Sequence, residues 1–412
     1  MADIFVAGVG MTAFGKQLDR SIKSLAAEAL AQVLADAGAE QKDLQAVFYG
    51  NCVQGHMEGQ DMVRGEIALR EAGIERVPVI NVENACATGS TAFHLAVNYV
   101  QAGAADIVLA IGAEKMYSPD KALMFSAFDG AWDVHEVEQS RDLLVRMGDG
   151  VPVPPGTQSD KPYSVFMDVY GGLCRLHMKT FGTTQRQIAA VAAKNHRHSV
   201  HNELAQYRKP FSVEEVLAAP PITYPLTLPM CSPVSDGAAA AIVCSAAGLQ
   251  KLKGDARRAR RVLASVLQTG SRRAPDDYAN HVTRHAANRA WAQAGIGPAD
   301  VSLAEVHDAT AMGEIIEVEA LGLVALGEAG PAAERGELSL GGRLPVNPSG
   351  GLECKGHPIG ATGLGQIYEL VGQLRGEMGA RQVDGAKVAV AQNGGGIIGV
   401  EEAVVAVTVL GV

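Results

Sequence analysis

The second half of this chain repeats the first, and that repeat constrains the fold more than any single motif. A helical pattern over 24–37 stops at Gly38, and another over 283–294 stops at Gly295, each after an alanine. Asp43-Leu44-Gln45-Ala46-Val47-Phe48-Tyr49 is then echoed by Asp300-Val301-Ser302-Leu303-Ala304-Glu305-Val306. Each half goes on to a turn of small residues that opens a helix. The first is Asn84-Ala85-Cys86-Ala87-Thr88-Gly89-Ser90, between a strand over 77–82 and a helix over 91–100. The second is His357-Pro358-Ile359-Gly360-Ala361-Thr362-Gly363, ahead of a helix over 364–374. Apolar strands follow at 106–112 and 387–391. Strands alternating with helices predict an α/β fold whose sheet is largely parallel and covered on both faces. The halves should pack together, with ligand chemistry where their turns converge.

Between about 115 and 224 the pattern changes, with more Met, Pro and charge and little strand character. The expected division is therefore residues 1–114 with 225–250 returning to them, an inserted segment 115–224, and a second half over 251–412. Within the insertion, helices are predicted over 164–181 and 184–200. From Arg175 to Lys209 there are seven Lys or Arg against one acid, Glu203. In a chain of net charge -10 this local excess suits an anionic ligand, while the overall charge argues against nucleic acid as a partner. No run of 18 apolar residues marks a membrane span. The N-terminus reads directly as a strand, and the six cysteines show no paired spacing, so a reduced, cytoplasmic protein without a zinc site is expected.

Cys86 sits where a strand turns into a helix, a position that favours an anion and so predicts a readily ionised thiol. Three more turns sit at strand ends or helix starts: His307-Asp308-Ala309-Thr310, Gly356-His357-Pro358 and Gln392-Asn393-Gly394-Gly395-Gly396. One thiol, two imidazoles and an amide-rich glycine turn are the parts needed for acyl transfer. A thiolate attacks a carbonyl, a histidine takes its proton, and N–H donors hold the oxyanion.

These stretches, with Ser235-Asp236-Gly237-Ala238-Ala239 and Val346-Asn347-Pro348-Ser349-Gly350-Gly351, resemble the motifs of the thiolases in order and spacing over essentially the full length. The resemblance implies a duplicated five-layer αβαβα fold and an inserted loop domain that holds coenzyme A as co-substrate. It also implies assembly as at least a homodimer, extending to a dimer of dimers, and no metal in this chain. Cys86 would be the acylated nucleophile, activated by His357, which also helps bind the thioester oxygen. His307 stands where most thiolases have the asparagine of an Asn-Glu-Ala-Phe motif and would contribute to the first oxyanion hole. The N–H groups of Cys86 and Gly394 would form the second. Ser232 and the basic stretch, with Arg175, Lys194 and Arg197, fall where coenzyme A lies.

Two departures stand out. Ordinary thiolases carry an acid/base cysteine where this chain has Gln392, and sterol-carrier-protein-type thiolases place it where this chain has Ala309. The His-Asp-Ala motif resembles thiolases of archaea and some bacteria that work with a small OB-fold/zinc-ribbon protein, and the Cys-His-His set is also similar to ketosynthases. The α-carbon proton is then left to His307, the preferred candidate, or to Cys354. The expected activity is thiolysis of a 3-oxoacyl-CoA through a Cys86 acyl-enzyme, or the reverse Claisen condensation. The alternatives are a non-catalytic acyl-CoA- or lipid-binding subunit and a retro-aldol carbon–carbon lyase.

Overall fold

The computed structural model describes residues 3–412. Its main sheet has nine strands: β1 (Ile4–Met11), β2 (Ala46–Gly50), β3 (Val79–Val82), β4 (Ile107–Glu114), β7 (Gly237–Ser245), β8 (Arg260–Thr269), β9 (Leu303–Glu305), β10 (Val388–Ile398) and β11 (Glu401–Gly411). A separate hairpin pairs β5 (Pro221–Thr223) with β6 (Leu226–Thr227). The order across the main sheet is β3-β2-β4-β7-β1-β8-β11-β10-β9. Read outward from the β1–β8 seam, the order β1-β7-β4-β2 is mirrored by β8-β11-β10-β9, so the repeat in sequence becomes a pseudo-twofold in topology. The place of β3 in the second half is taken by a single bridge between Ala304 and Val346.

The seam is short, Phe5 with Arg261 and Val6 with Arg260. Helices 88–101 and 362–375 lie between the two half-sheets. One apolar cluster joins their Phe93, Val97, Leu364 and Leu370 to Phe48 and Val108 of one half and to Leu303 and Ala389 of the other. Helix 22–37 covers the outer face of the first half-sheet, burying Leu25 and Val33 against Val47, Leu109 and Ile242. Helix 282–294 covers the second, with Ala286 and Ala290 against Val266 and Val407. The result is five layers, as expected. Local signals set the helix limits: Ser21 accepts the Ser24 N–H at one end of helix 22–37, and Gly38 adopts a left-handed conformation at the other.

Two expectations need correction. The sheet is mixed, because only β2–β3, β2–β4 and β9–β10 run parallel, while β7 and β11 return antiparallel to their neighbours. The glycine run is not a turn either. Gly394–Gly396 lie inside β10, and the chain reverses only at Gly399-Val400, before β11.

The segment between β4 and β7 leaves the sheet and carries helices 166–181 and 185–199, the second capped by Thr184 and Gln187. Asp236 fastens its two ends. Its buried carboxylate accepts the N–H groups of Gln17, Met116 and Tyr117 and pairs with Lys115 at 3.0 Å. No helix among the described residues is long and apolar enough to cross a membrane.

Glycines let the two halves touch. A Cβ on Gly112 in β4 would stand 1.9 Å from the Gly360 carbonyl oxygen, in the turn after His357. Gly112→Ala should therefore force that turn away, destabilising the protein by roughly 1–3 kcal/mol. Urea unfolding should show a lower midpoint at unchanged slope.

Candidate active site

A 3-10 turn, Ala85–Ala87, carries Cys86 from β3 into helix 88–101. Ala85 holds a φ of 47°, a conformation costly for a residue with a Cβ. It is held there by local bonds: its N–H to Glu83 at 2.6 Å, its carbonyl from Thr88 Oγ1 at 2.6 Å, and Asn84 N–H to the same hydroxyl at 2.8 Å. β10 presses on this turn. A Cβ on Gly395 would meet the Asn84 carbonyl oxygen at 2.3 Å, so only glycine lets the strand approach.

His307 follows β9 and His357 precedes helix 362–375. One ligand atom from each of Cys86, His307 and His357 lies within 4.8 Å of the others. The two rings are 5.3 Å apart, tilted by 57°. Asp308 couples the two histidine turns, because its carboxylate accepts the Leu352 N–H at 2.7 Å and the Glu353 N–H at 3.4 Å, at the start of the short helix that leads to His357. Glu114 holds the far side of the His357 turn, accepting the Gly360 N–H at 2.9 Å.

The hydrogen bonds point to different tautomers for the two imidazoles. The Gly394 N–H donates to His307 Nδ1 at 3.1 Å, so in the neutral ring Nε2 carries the proton. That Nε2–H is buried and has no partner. His357 Nδ1 lies 2.7 Å from Thr362 Oγ1, whose hydroxyl also meets the Pro358 carbonyl at 3.0 Å. With the hydroxyl proton given to that carbonyl, Nδ1 is the donor and Nε2 keeps a free lone pair, also buried and unpartnered. One ring offers a proton to the site and the other offers a base.

Burial keeps these groups uncharged. It pushes the Cys86 thiol up to about 12, against the lowering pull of two backbone N–H groups, its own and that of Gly396. This corrects the expectation of a readily ionised thiol, because desolvation outweighs the helix terminus. Burial also lowers His307 to about 4, partly offset by the nearby Glu402 carboxylate, and lowers His357 well below the ordinary imidazole range.

All three groups open into one cavity of about 690 Å3, whose wall also includes Ser232, Gly395 and Gly396. Ser232 is placed by its N–H bond to the Ala309 carbonyl at 3.0 Å. Several expected residues lie elsewhere. The Gly394 N–H is spent on His307, so the N–H that faces the sulfur beside that of Cys86 belongs to Gly396. Cys354 is fully buried outside the cavity wall. Lys194 is fully buried, 2.9 Å from Glu314 and 2.7 Å from the Val346 carbonyl, so its charge is consumed inside the fold. Arg175 donates to the Tyr224 carbonyl at 2.8 Å, and Arg197 is exposed on helix 185–199 away from the cavity. The cavity's free cations are instead Lys16 and Lys121, whose ammonium groups stand 4.8 Å and 4.9 Å from the centre of the Tyr117 ring. They are distant in sequence from each other and from every motif, so no local pattern marks them.

A duplicated five-layer α/β fold with a cysteine and a basic imidazole at the junction of its halves defines a class of nucleophilic acyl-transfer enzymes. Family models agree: Thiolase, N-terminal domain matches residues 4–216 and Thiolase C-terminal domain-like matches 264–408. Sterol carrier protein 2 of Bos taurus is 39% identical over 416 residues, covering 98% of this chain and 71% of that protein. An acetyl-CoA acetyltransferase of Methanothermobacter thermautotrophicus is 37% identical over 408 residues, covering 96% and 97%. Among solved structures, the Ltp2-ChsH2(DUF35) aldolase superposes with a TM-score of 0.75 at 22% identity, over 99% of this chain and 97% of that one, a likeness of fold. The chain belongs to the thiolase family.

Because the Cys86 thiol is held neutral, its alkylation by iodoacetamide should rise about tenfold per pH unit from pH 7 to 10. Mass mapping of the modified peptide reads this directly, and a plateau by pH 7 would show a preformed thiolate–imidazolium pair instead. Lys194→Met should leave Glu314 buried and unpaired, costing about 3–5 kcal/mol in urea unfolding, with no change in affinity for coenzyme A.

Proposed function

We propose that this thiolase-family acyltransferase cleaves a 3-oxoacyl-CoA with coenzyme A, or runs the reverse Claisen condensation, through an acyl-enzyme on Cys86. The observation that carries the reading is that Cys86 Sγ and a ring nitrogen of each of His307 and His357 lie within 4.8 Å of one another at the cavity wall. His357 Nε2 accepts the Cys86 proton as the sulfur attacks the 3-keto carbon. His307 Nε2–H is a neutral donor for a thioester oxygen, and the N–H groups of Cys86 and Gly396 are donors for the oxyanion at the attacked carbon. After C2–C3 cleavage, free coenzyme A takes the acyl group from Cys86.

Coenzyme A brings phosphates to the cavity mouth. Lys16 and Lys121 form no ion pair among the described residues, so their charges are available to those phosphates. A second subunit belongs to this reading, since the name of the solved fold neighbour joins Ltp2 to ChsH2(DUF35). That neighbour is also called an aldolase, but an intact, cavity-facing Cys86 favours thioester exchange, which aldol cleavage does not need.

Incubation with acetoacetyl-CoA should leave an acetyl adduct on Cys86 by mass spectrometry, and Cys86→Ala should abolish it. Absence of adduct and of thiolysis, alone or with any co-purified subunit, would reject the reading. His357→Ala should lower kcat about 10²–10⁴-fold and His307→Ala about 10²–10³-fold. Lys16→Ala combined with Lys121→Ala should raise KM for coenzyme A with kcat little changed, because the phosphates lie far from the reacting carbon.

A further inference from the structure

The chemistry above needs one more group. When the C2–C3 bond breaks, the carbanion at C2 must receive a proton, and in condensation the same position must lose one. Neither histidine suits this role. His307 Nδ1 is occupied by the Gly394 N–H, and a neutral Nε2–H is far too weak an acid. His357 already holds the proton from Cys86. Cys354 does not reach the cavity.

A cluster outside every sequence motif does reach it. Glu317, Glu402 and His281 each offer a ligand atom within 4.8 Å of the others, and all three line the cavity. Glu402 Oε1 and His307 Nδ1 both lie 3.3 Å from the point where a Gly394 Cβ would stand, so the cluster adjoins the histidine site. Glu317 is 2% exposed, and Oε2 of both Glu317 and Glu402 is buried without a hydrogen bond. His281 Nδ1 accepts the Thr283 N–H at 3.3 Å, which turns its Nε2–H toward Glu402 Oε2, 3.8 Å away. Of the other charges nearby, Arg273 pairs with Glu401 and Arg284 donates to the Glu319 carbonyl at 3.0 Å.

From this geometry we infer that Glu317 and Glu402 share one proton and are the acid/base pair for the substrate α-carbon, filling the place of the absent second cysteine. The inference rests on the thiolase reading of the cavity. Two buried carboxyls this close cannot both ionise cheaply. Burial and the neighbouring Glu402 hold Glu317 well above the usual carboxyl range, whereas His281 and Glu317 hold Glu402 below it despite burial. In cleavage, the C2–C3 electron pair moves to C2 and the shared proton follows it, leaving both carboxylates charged. The proton that His357 took from Cys86 then passes through solvent to the pair. The freed His357 Nε2 takes the proton of incoming coenzyme A as its sulfur attacks the thioester, and returns it to Cys86 as that bond breaks. The pair returns to its starting state, and no other reactant is consumed.

The test separates the two steps in the full chain with any subunit that co-purifies. Exchange of isotope-labelled coenzyme A into acetyl-CoA needs Cys86 and His357 but moves no α-proton. Thiolysis of acetoacetyl-CoA needs both steps. Glu402→Gln and Glu317→Gln should each keep exchange comparable to wild type while thiolysis falls about 10²–10⁴-fold. Thiolysis at the wild-type rate in either variant overturns the inference, and so does a parallel fall of exchange and thiolysis in both, which marks the pair as structural. Should one variant fail to fold, the other decides. Wild-type protein without exchange would count against the thiolase reading itself, a different outcome from either of these.

Discussion

Everything at the site depends on how closely two backbone turns approach one another. The turn after His357 and the turn around Cys86 come from opposite halves of the duplicated fold, and they meet with almost no side chain between them. A Cβ on Gly363 would stand 2.0 Å from Ser90 Oγ, and one on Gly89 would stand 2.9 Å from the Gly360 carbonyl oxygen. Such contacts tolerate only glycine, and they bring a sulfur and two imidazoles within 4.8 Å. The large number of glycines is thus partly a consequence of duplication, because each copy offers the other backbone as a packing surface.

That close packing decides the electrostatics as well. Packing against neighbouring backbone leaves these groups little water, and with little water a lone charge is expensive. The site resolves this with neutral groups whose protons are directed by hydrogen-bond partners. The Gly394 N–H makes His307 a donor, and the Thr362 hydroxyl makes His357 an acceptor. The same rule explains why the basic residues read from the sequence did not serve the cavity. Lys194 and Arg175 belong to buried networks that hold helices 185–199 and 166–181 in place, while of the lysines at the cavity Lys16 lies in a loop and Lys121 opens a separate short helix.

The repeat and the turns that carry Cys86, His307 and His357 were legible because each depends on local sequence, while the five layers followed from the resemblance of those motifs to the thiolases. A glycine after an alanine ends a helix, and a cysteine among small residues sits on an open turn. What sequence reading missed depends on contacts between distant segments. The antiparallel return of β7 follows an excursion of more than a hundred residues. The strand character of Gly394–Gly396 comes from pairing with β11, which overrides the turn preference of glycine. Which N–H faces Cys86 is likewise fixed by how β10 crosses the turn around it. Glu317 and Glu402 lie 85 positions apart on a helix and a strand, surrounded by no motif, and only the fold makes them neighbours.

A neutral cysteine at rest has a mechanistic consequence. With burial holding the thiol near 12 and His357 well below its ordinary value, transfer of the proton between them is uphill in the free protein. An enzyme with a standing thiolate–imidazolium pair would have a nucleophile ready for any electrophile. In the proposed acyl transfer the ionised pair becomes accessible only as an oxyanion forms within reach of the Cys86 and Gly396 N–H groups, because those donors stabilise charge that exists only after attack. The cost of burial therefore falls on the resting state, and it is relieved only by a carbonyl placed correctly against the sulfur. On that proposal, selectivity for a bound thioester or ketone over stray electrophiles follows from the same desolvation that raises the thiol.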